Sequence, residues 1–197
     1  MRIVLYLKNL DEEYQVSVYK GVKAQAASLG MDVFCVQGGL LPSAFKIPAD
    51  AILVLSPVFP IAESSSELLW LKKNAAKVPC ISIGLALPEI PSILIDTRES
   101  IIKLMDHLVE HHAYRNLLYI GGPAQHPDNK LREQLFLQII QEKQSCYPDL
   151  AGQVRNGGFS ESSAIAIVME YARAYPDRVP DVIVAANDNM AIGAIKA

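Results

Sequence analysis

The sequence has little of what defines several common protein classes. It holds 3 cysteines in 197 residues, and none forms the Cys-x-x-Cys spacing of a zinc knuckle or redox pair. Its longest basic cluster, Lys72-Lys73, is too small for a nucleic-acid-binding surface. No apolar run approaches the roughly 18 residues of a membrane span, and the run at 3–7 is too short for a signal-peptide core. We therefore expect a soluble cytoplasmic protein with free thiols, which contacts neither membrane nor nucleic acid.

Catalytic motifs are also missing. No Gly-x-Gly-x-x-Gly follows the first apolar run, and neither a phosphate-binding loop with Gly-Lys-Ser/Thr nor a Gly-x-Ser-x-Gly elbow occurs. We find no set of residues with acid, base and nucleophile roles. The prediction is a protein that is not an enzyme and carries no cofactor.

What is present is a globular composition, 51% apolar and 20% charged with a net charge of −3. Short apolar runs alternate with helical periodicity from end to end, and the run at 51–55 is apolar on both faces, as in strands covered by helices on both sides. The alternation predicts an α/β fold with doubly wound parallel sheets. The predicted strands are 3–7, 32–36, 51–55, 78–83, 93–95, 117–120, 153–155 and 182–186.

Polar and aromatic side chains follow the predicted strands. In open parallel sheets, ligands bind at the carboxyl ends of strands, beside the free N–H groups of helix N-termini. Asp, Asn and Arg match paired hydroxyl groups, and an aromatic ring can lie against the apolar face of a sugar. Several of these residues alone would be read as helix N-caps, so only their joint position favours binding. The predicted ligand-binding residues are Tyr14, Gln15, Ser56, Asp96, His126, Asp128, Arg132, Phe159, Asn187 and Asp188.

Two histidines raise the question of a metal site. His107 and His111 are four residues apart, a spacing that puts both rings on one helix face. No third ligand is evident, since His112 is expected to point elsewhere. The sequence therefore predicts solvated or helix-capping histidines and no metal.

Five segments carry motifs of a known kind: Pro91–Asp96, His112–Pro123, Arg132–Phe136, Gly158–Ser160 and Ala185–Ala194. Together they resemble the ligand-binding domain of LacI/GalR-type regulators and type I periplasmic binding proteins, and the last segment is quite specific. The resemblance covers the whole chain. It implies two doubly wound lobes, 1–113 and 114–197, joined by crossover strands around a cleft that holds a small ligand, usually a sugar.

The resemblance also carries functional expectations. Family ligand contacts fall on eight of the predicted residues, all but Ser56 and Asp96, and family members usually pair as dimers. The family domain continues past the Asn187-Asp188 motif, so we expect an incomplete second lobe. No helix-turn-helix precedes Met1, so we expect no direct DNA contact by this chain. Such domains resemble the sensor regions of bacterial signalling proteins with GGDEF or histidine-kinase output modules.

These features predict a sugar-sensing domain of a transcriptional regulator or signalling protein, which works by lobe closure and is attached to an output domain. Two alternatives stay open. One is an enzyme on a similar scaffold that acts on a sugar phosphate. The other is a dimerisation module that binds nothing, which is suggested by Leu135 where the family has glycine.

Overall fold

The computed structural model describes residues 1–8, 10–11, 13–38, 46–55 and 66–197. Strands and helices alternate along these ranges, and each of the eight predicted strands overlaps an observed one there, although the predicted strand 93–95 shares only Ile93 with it. In chain order the elements are β1 Arg2–Leu7, α1 Glu13–Ser28, β2 Asp32–Gln37, β3 Ala51–Leu55, α2 Ser66–Ala75, β4 Cys80–Ile83, β5 Ser92–Ile93, α3 Arg98–Asp106, a π-helical turn His107–His111, β6 Asn116–Gly121, α4 Pro127–Lys143, β7 Ala151–Asn156, α5 Glu161–Ala174, β8 Val182–Ala185 and α6 Asp188–Lys196.

The strands form two parallel sheets in two compact units. Unit 1, Met1–Ile95, holds the five-stranded sheet with order β2-β1-β3-β4-β5, and unit 2, Asp96–Ala197, holds the three-stranded sheet with order β7-β6-β8. The sequence-based division assigned α3 to a first lobe ending at residue 113. In the structure α3 belongs to unit 2, because Met105 and the following Val109 are buried in that unit's core.

In unit 1, β1 is the central strand, paired in parallel with β2 on one side and β3 on the other. Residues 4–7 of β1 are fully buried, and alternate side chains enter different hydrophobic clusters. Val4 and Tyr6 contribute to one cluster, and Leu5 and Leu7 to the other. A strand apolar on both faces therefore lies between two layers, as the sequence pattern predicts.

In unit 2, β6 takes the same central position between β7 and β8. Leu117, Leu118, Tyr119 and Ile120 are all buried, and the ring of Tyr119 stacks on that of Phe136 from α4 at 5.0 Å between centroids. One cluster joins these residues to α3, α5 and α6. β6 therefore forms hydrogen bonds with both other strands of the sheet and also lies at the centre of the hydrophobic core.

The helices α5 and α6 of unit 2 pack very closely at Gly193. A Cβ atom at this position would lie 2.4 Å from the Glu161 carbonyl oxygen and 3.0 Å from the Cβ of Ala164. Only glycine allows the two helices to approach this far. Within the described ranges, no helix combines the length and the apolar character that crossing a membrane requires.

We predict that Gly193→Ala destabilises the protein by about 1–3 kcal/mol, because the added methyl group must push α5 and α6 apart. Gly21→Ala in α1 is the matched control. Apart from the backbone of its own helix and its two chain neighbours, no described residue has an atom within 4 Å of a Cβ there, so this helical substitution is expected to be neutral or stabilising. Urea unfolding of both variants measures the difference, and equal stability of the two would contradict the close packing.

Asp181 joins the starts of β8 and β6. Its carboxylate accepts hydrogen bonds from the backbone amides of Arg115 and Asn116, both at 2.8 Å. These two bonds lower the pKa of Asp181, and the charge of Arg115 adds a smaller effect in the same direction. The stabilisation is therefore present at neutral pH and is lost as the pH falls through the lowered native pKa.

We expect Asp181→Ala to reduce the free energy of unfolding at pH 7 by about 1 kcal/mol, a modest value because the position is exposed. The difference from the unaltered protein should shrink toward acidic pH, where the carboxylate becomes protonated. Asp177→Ala, at another exposed aspartate, is the control. A loss of stability that does not change with pH would rule out the carboxylate as its cause.

Candidate functional site

The carboxyl edge of the three-stranded sheet brings most of the predicted site residues into one region. β6, β7 and β8 are parallel, so their carboxyl ends lie at the same edge, and each leads through a short loop into α4, α5 or α6. The N-termini of three helices therefore meet at this edge. The six predicted residues found here are His126, Asp128, Arg132, Phe159, Asn187 and Asp188.

Phe159 has an unusual backbone conformation for a bulky residue. Its φ of 62° lies in the left-handed region that favours glycine. Its ring packs over Gly122, where a Cβ atom would lie 2.2 Å from two ring carbons. The ring also meets His126 edge to face, with 5.1 Å between centroids. Backbone strain held in place by close packing is typical of functional sites.

Asn187 connects two of the loops through both ends of its side chain. The Oδ1 atom accepts a hydrogen bond from the Met190 amide at 3.0 Å and so caps α6, while Nδ2 donates to the Phe159 carbonyl at 3.4 Å. The side chain of Ser160 caps α5 in a similar way. Asn187 therefore fixes the backbone that carries Phe159.

Arg132 lies on the first turns of α4 and is half buried. Its guanidinium donates a short hydrogen bond to the carbonyl of Ala186, which directly precedes Asn187. The same side chain lines a pocket of about 220 Å³ within unit 2. The rest of the lining is mainly apolar: Thr97, Ser100, Ile101, Leu104, Met105, Tyr119, Phe136, Val184, Ala185 and Ala186.

Tyr119 is a pocket residue that the sequence reasoning missed. Its hydroxyl is buried and has no hydrogen-bond partner among the described residues. Burial raises the pKa of Tyr119 to about 12; Arg132 opposes the shift and Glu133 adds to it. The available signal was that Tyr119 is the one side chain with a polar group in the predicted strand 117–120. Buried hydroxyl groups usually have a partner, so a ligand or water is expected to supply one here.

His126 also has a buried polar atom without a hydrogen-bond partner among the described residues. Its Nδ1 atom is buried, and no described residue provides a partner for it. Burial lowers the pKa of His126; the nearby Asp128 opposes this shift and Arg132 reinforces it. Burial therefore favours the neutral ring, in which one nitrogen can donate a hydrogen bond while the other accepts one.

The other predicted site residues have different settings. Gln15 is completely buried, and its Oε1 accepts a hydrogen bond from the Lys8 amide at 2.9 Å, so it helps to hold the end of β1. Tyr14 beside it is 48% exposed. Asp96 is exposed, and its carboxylate accepts from the Arg98 amide at 2.9 Å. Ser56 lies outside the described residues.

The histidine cluster differs from the sequence-based expectation. His112 was expected to point away from His107, but the two Nε2 atoms are 3.0 Å apart. The chain between them forms a π-helical turn, which the periodicity of the sequence does not indicate.

Because burial disfavours the charged form of His126, we predict that its ring titrates below the ordinary histidine pKa of about 6.5. This depressed pKa makes stability fall as the pH drops from that ordinary value through the native pKa. NMR titration of the ring resonances measures the pKa directly. His126→Gln should flatten the pH dependence of unfolding in the same range, and an ordinary or raised pKa for His126 would refute the assignment.

No protein-family model matches the sequence, and no curated protein matches it. Solved structures do. A periplasmic solute-binding protein of an ABC transporter from Actinobacillus succinogenes, with bound D-allose, has a TM-score of 0.84 and 22% identity over 100% of this chain and 72% of that one. The lac repressor dimer bound to operator and the anti-inducer ONPF gives 0.81 and 18% over 100% and 68%.

A LacI family transcriptional regulator from Mycobacterium smegmatis is also similar, with a TM-score of 0.75 and 18% identity over 98% of this chain and 71% of that one. These three structures are binding proteins and regulators rather than enzymes. The parallel sheets and flanking helices agree with the predicted α/β architecture. The chain has the type I periplasmic-binding-protein-like fold that periplasmic sugar-binding proteins and LacI-family repressors share.

Proposed function

We propose that this chain is a sugar-binding sensor domain and that the carboxyl edge of the unit 2 sheet holds part of the ligand. The observation that carries the proposal is the aromatic pair at this edge. Phe159 has a strained backbone conformation, and its ring contacts the ring of His126. The buried Nδ1 of His126 has no hydrogen-bond partner among the described residues. A ligand with both an apolar face and hydroxyl groups suits this pair.

The charged residues around the pair suit the same class of ligand. Asp128 lies in the first turn of α4 and Asp188 is the first residue of α6, and Arg132 lies one turn further along α4. Carboxylates accept hydrogen bonds from hydroxyl groups, and the guanidinium donates to ring and hydroxyl oxygens. The fold agrees with this proposal, since a similar protein was solved with bound D-allose.

The rest of the proposal depends on the sequence resemblance. Tyr14 and Gln15 would contribute ligand contacts from unit 1. The ligand would bind the closed state of the two units more tightly than the open state, and the resulting shift toward the closed state would be the signal. We further propose a cytoplasmic homodimer attached to an output domain of a transcriptional regulator or signalling protein. Direct DNA contact by this chain is not part of the proposal.

The direct test is a thermal-shift screen against a panel of monosaccharides beginning with D-allose, followed by calorimetric titration of any hit. A bound sugar should raise the melting temperature in proportion to its concentration relative to Kd. Asp128→Asn and Asp188→Asn should each weaken binding about tenfold, because a charge-assisted hydrogen bond contributes about 1.5–3 kcal/mol. Asp177→Asn, at an exposed aspartate outside the site, should leave Kd unchanged.

Two results would overturn the proposal. One is a folded protein that no sugar in the panel stabilises. The other is a sugar affinity that is the same in Asp128→Asn, Asp188→Asn and the control variant Asp177→Asn. Turnover of a sugar phosphate would favour the enzyme alternative, and an assay of product formation with sugar phosphates added to the panel detects it.

A further inference from the structure

Three histidines lie together at the end of α3, outside the site proposed above. α3 continues into the π-helical turn His107–His111, which the His112 amide closes by donating to the His107 carbonyl at 3.1 Å. This bond joins residues five apart, one more than in an α-helix. The extra residue brings His112 to the side of the helix where His107 and His111 already lie, so a pair becomes a triad.

The apolar residues of the same segment are consistent with this turn. Met105, Leu108 and Val109 are all buried in the core of unit 2. The histidines around them are all exposed. Ala113, with a φ of 56°, then redirects the chain toward β6. The turn is thus held by burial on one side, while the imidazole rings face solvent on the other.

The ring nitrogens are close enough to share one ion. One ligand nitrogen from each ring lies within 4.8 Å of the other two, and the Nε2 atoms of His107 and His112 are 3.0 Å apart. A tetrahedral ion about 2.1 Å from each nitrogen would hold neighbouring nitrogens roughly 3.4 Å apart. The rings must rotate to bring all three nitrogens to this spacing, and their exposure leaves room for that rotation.

The surrounding charges favour a cation. Asp106 and Glu110 flank the triad on the helix, and both contact the Lys143 ammonium, at 2.6 and 2.5 Å. Two carboxylates and one ammonium give this group of three side chains a net charge of −1. The remaining aromatic neighbour, Tyr114, stacks on His112 at 5.2 Å and limits its rotation.

From this geometry we propose that His107, His111 and His112 form a binding site for a divalent transition-metal ion, with Zn²⁺ as the reference ion. Neutral imidazole suits Zn²⁺, Ni²⁺ and Cu²⁺, and three protein ligands leave a fourth position for water or an outside ligand. Because the site is exposed, a bound ion can leave and be replaced from solution. While it is bound, the ion links His107 at the start of the π turn to His111 and His112 at its end.

The test is a titration of the whole 197-residue chain with Zn²⁺ in competition with a chromophoric chelator, without sugar. We expect one ion per chain. Loss of an outer-shell partner alone typically costs about 10- to 100-fold in affinity, so His112→Gln, which removes a ligand, should weaken binding at least ~10-fold. His107→Gln and His111→Gln should have similar effects.

Two controls test the fourth histidine and the exposed cysteine as alternative ligands. His126→Gln removes the histidine outside the triad, and Cys146→Ser removes the exposed thiol; both should leave Zn²⁺ affinity within about twofold. Circular dichroism checks that each variant is folded, which is expected since all three rings are exposed.

Several outcomes would overturn the proposal. If His112→Gln binds Zn²⁺ as tightly as the unaltered chain, the ion uses only an ordinary pair of histidines four residues apart. If Cys146→Ser abolishes binding, the thiol holds the ion. If the unaltered chain binds Zn²⁺ no more tightly than a variant with all three histidines changed to glutamine, the triad is not a metal site.

Discussion

The position of β6 between β7 and β8 is the constraint on which unit 2 depends. Its hydrogen bonds set the register of both neighbours, and they continue past the ends of the strands. The Gly157 amide donates to the Gly121 carbonyl at 2.7 Å, and the Ala186 amide donates to the Ile120 carbonyl at 2.9 Å. The loops that carry Phe159 and Asn187 follow β7 and β8, and each begins at a hydrogen bond to the carboxyl end of β6. The hydrogen bonds of the sheet therefore fix where both loops of the candidate site begin.

The polar groups of the site have a second role in holding it together. Asn129 accepts a hydrogen bond from the Gly122 amide at 2.5 Å, and Arg132 bonds to the Ala186 carbonyl. Such bonds fix side chains before a ligand arrives, which reduces the entropy lost on binding. They also mean that a single substitution can alter both stability and affinity. Asp128 and Asp188 separate the two effects better, because among the described residues neither has a hydrogen bond of this kind to another loop.

Most of the architecture of this chain could be predicted from the sequence, because it follows from local patterns. Continuous apolar runs such as Ala51–Leu55 indicate buried parallel strands, and the parallel arrangement by itself places residues such as Asp188 at a common edge. What could not be predicted depends on tertiary packing. The burial of Gln15, the left-handed backbone of Phe159 and the π turn before His112 are set by neighbours distant in sequence. Tyr119 was missed because a strand buried on both faces does not show which side chain meets a pocket.

The contact between Gly122 and Phe159 has a consequence for how this site can change over time. Any side chain at position 122 would occupy the space of the aromatic ring, whose carbons are the three atoms nearest to a Cβ there. The two positions are therefore coupled, and an evolutionary path that replaces one opens the way to replacing the other. A lineage that lost the ring would lose the contact that forbids a side chain at position 122. Glycine at 122 and an aromatic ring at 159 are therefore expected to be kept or lost together.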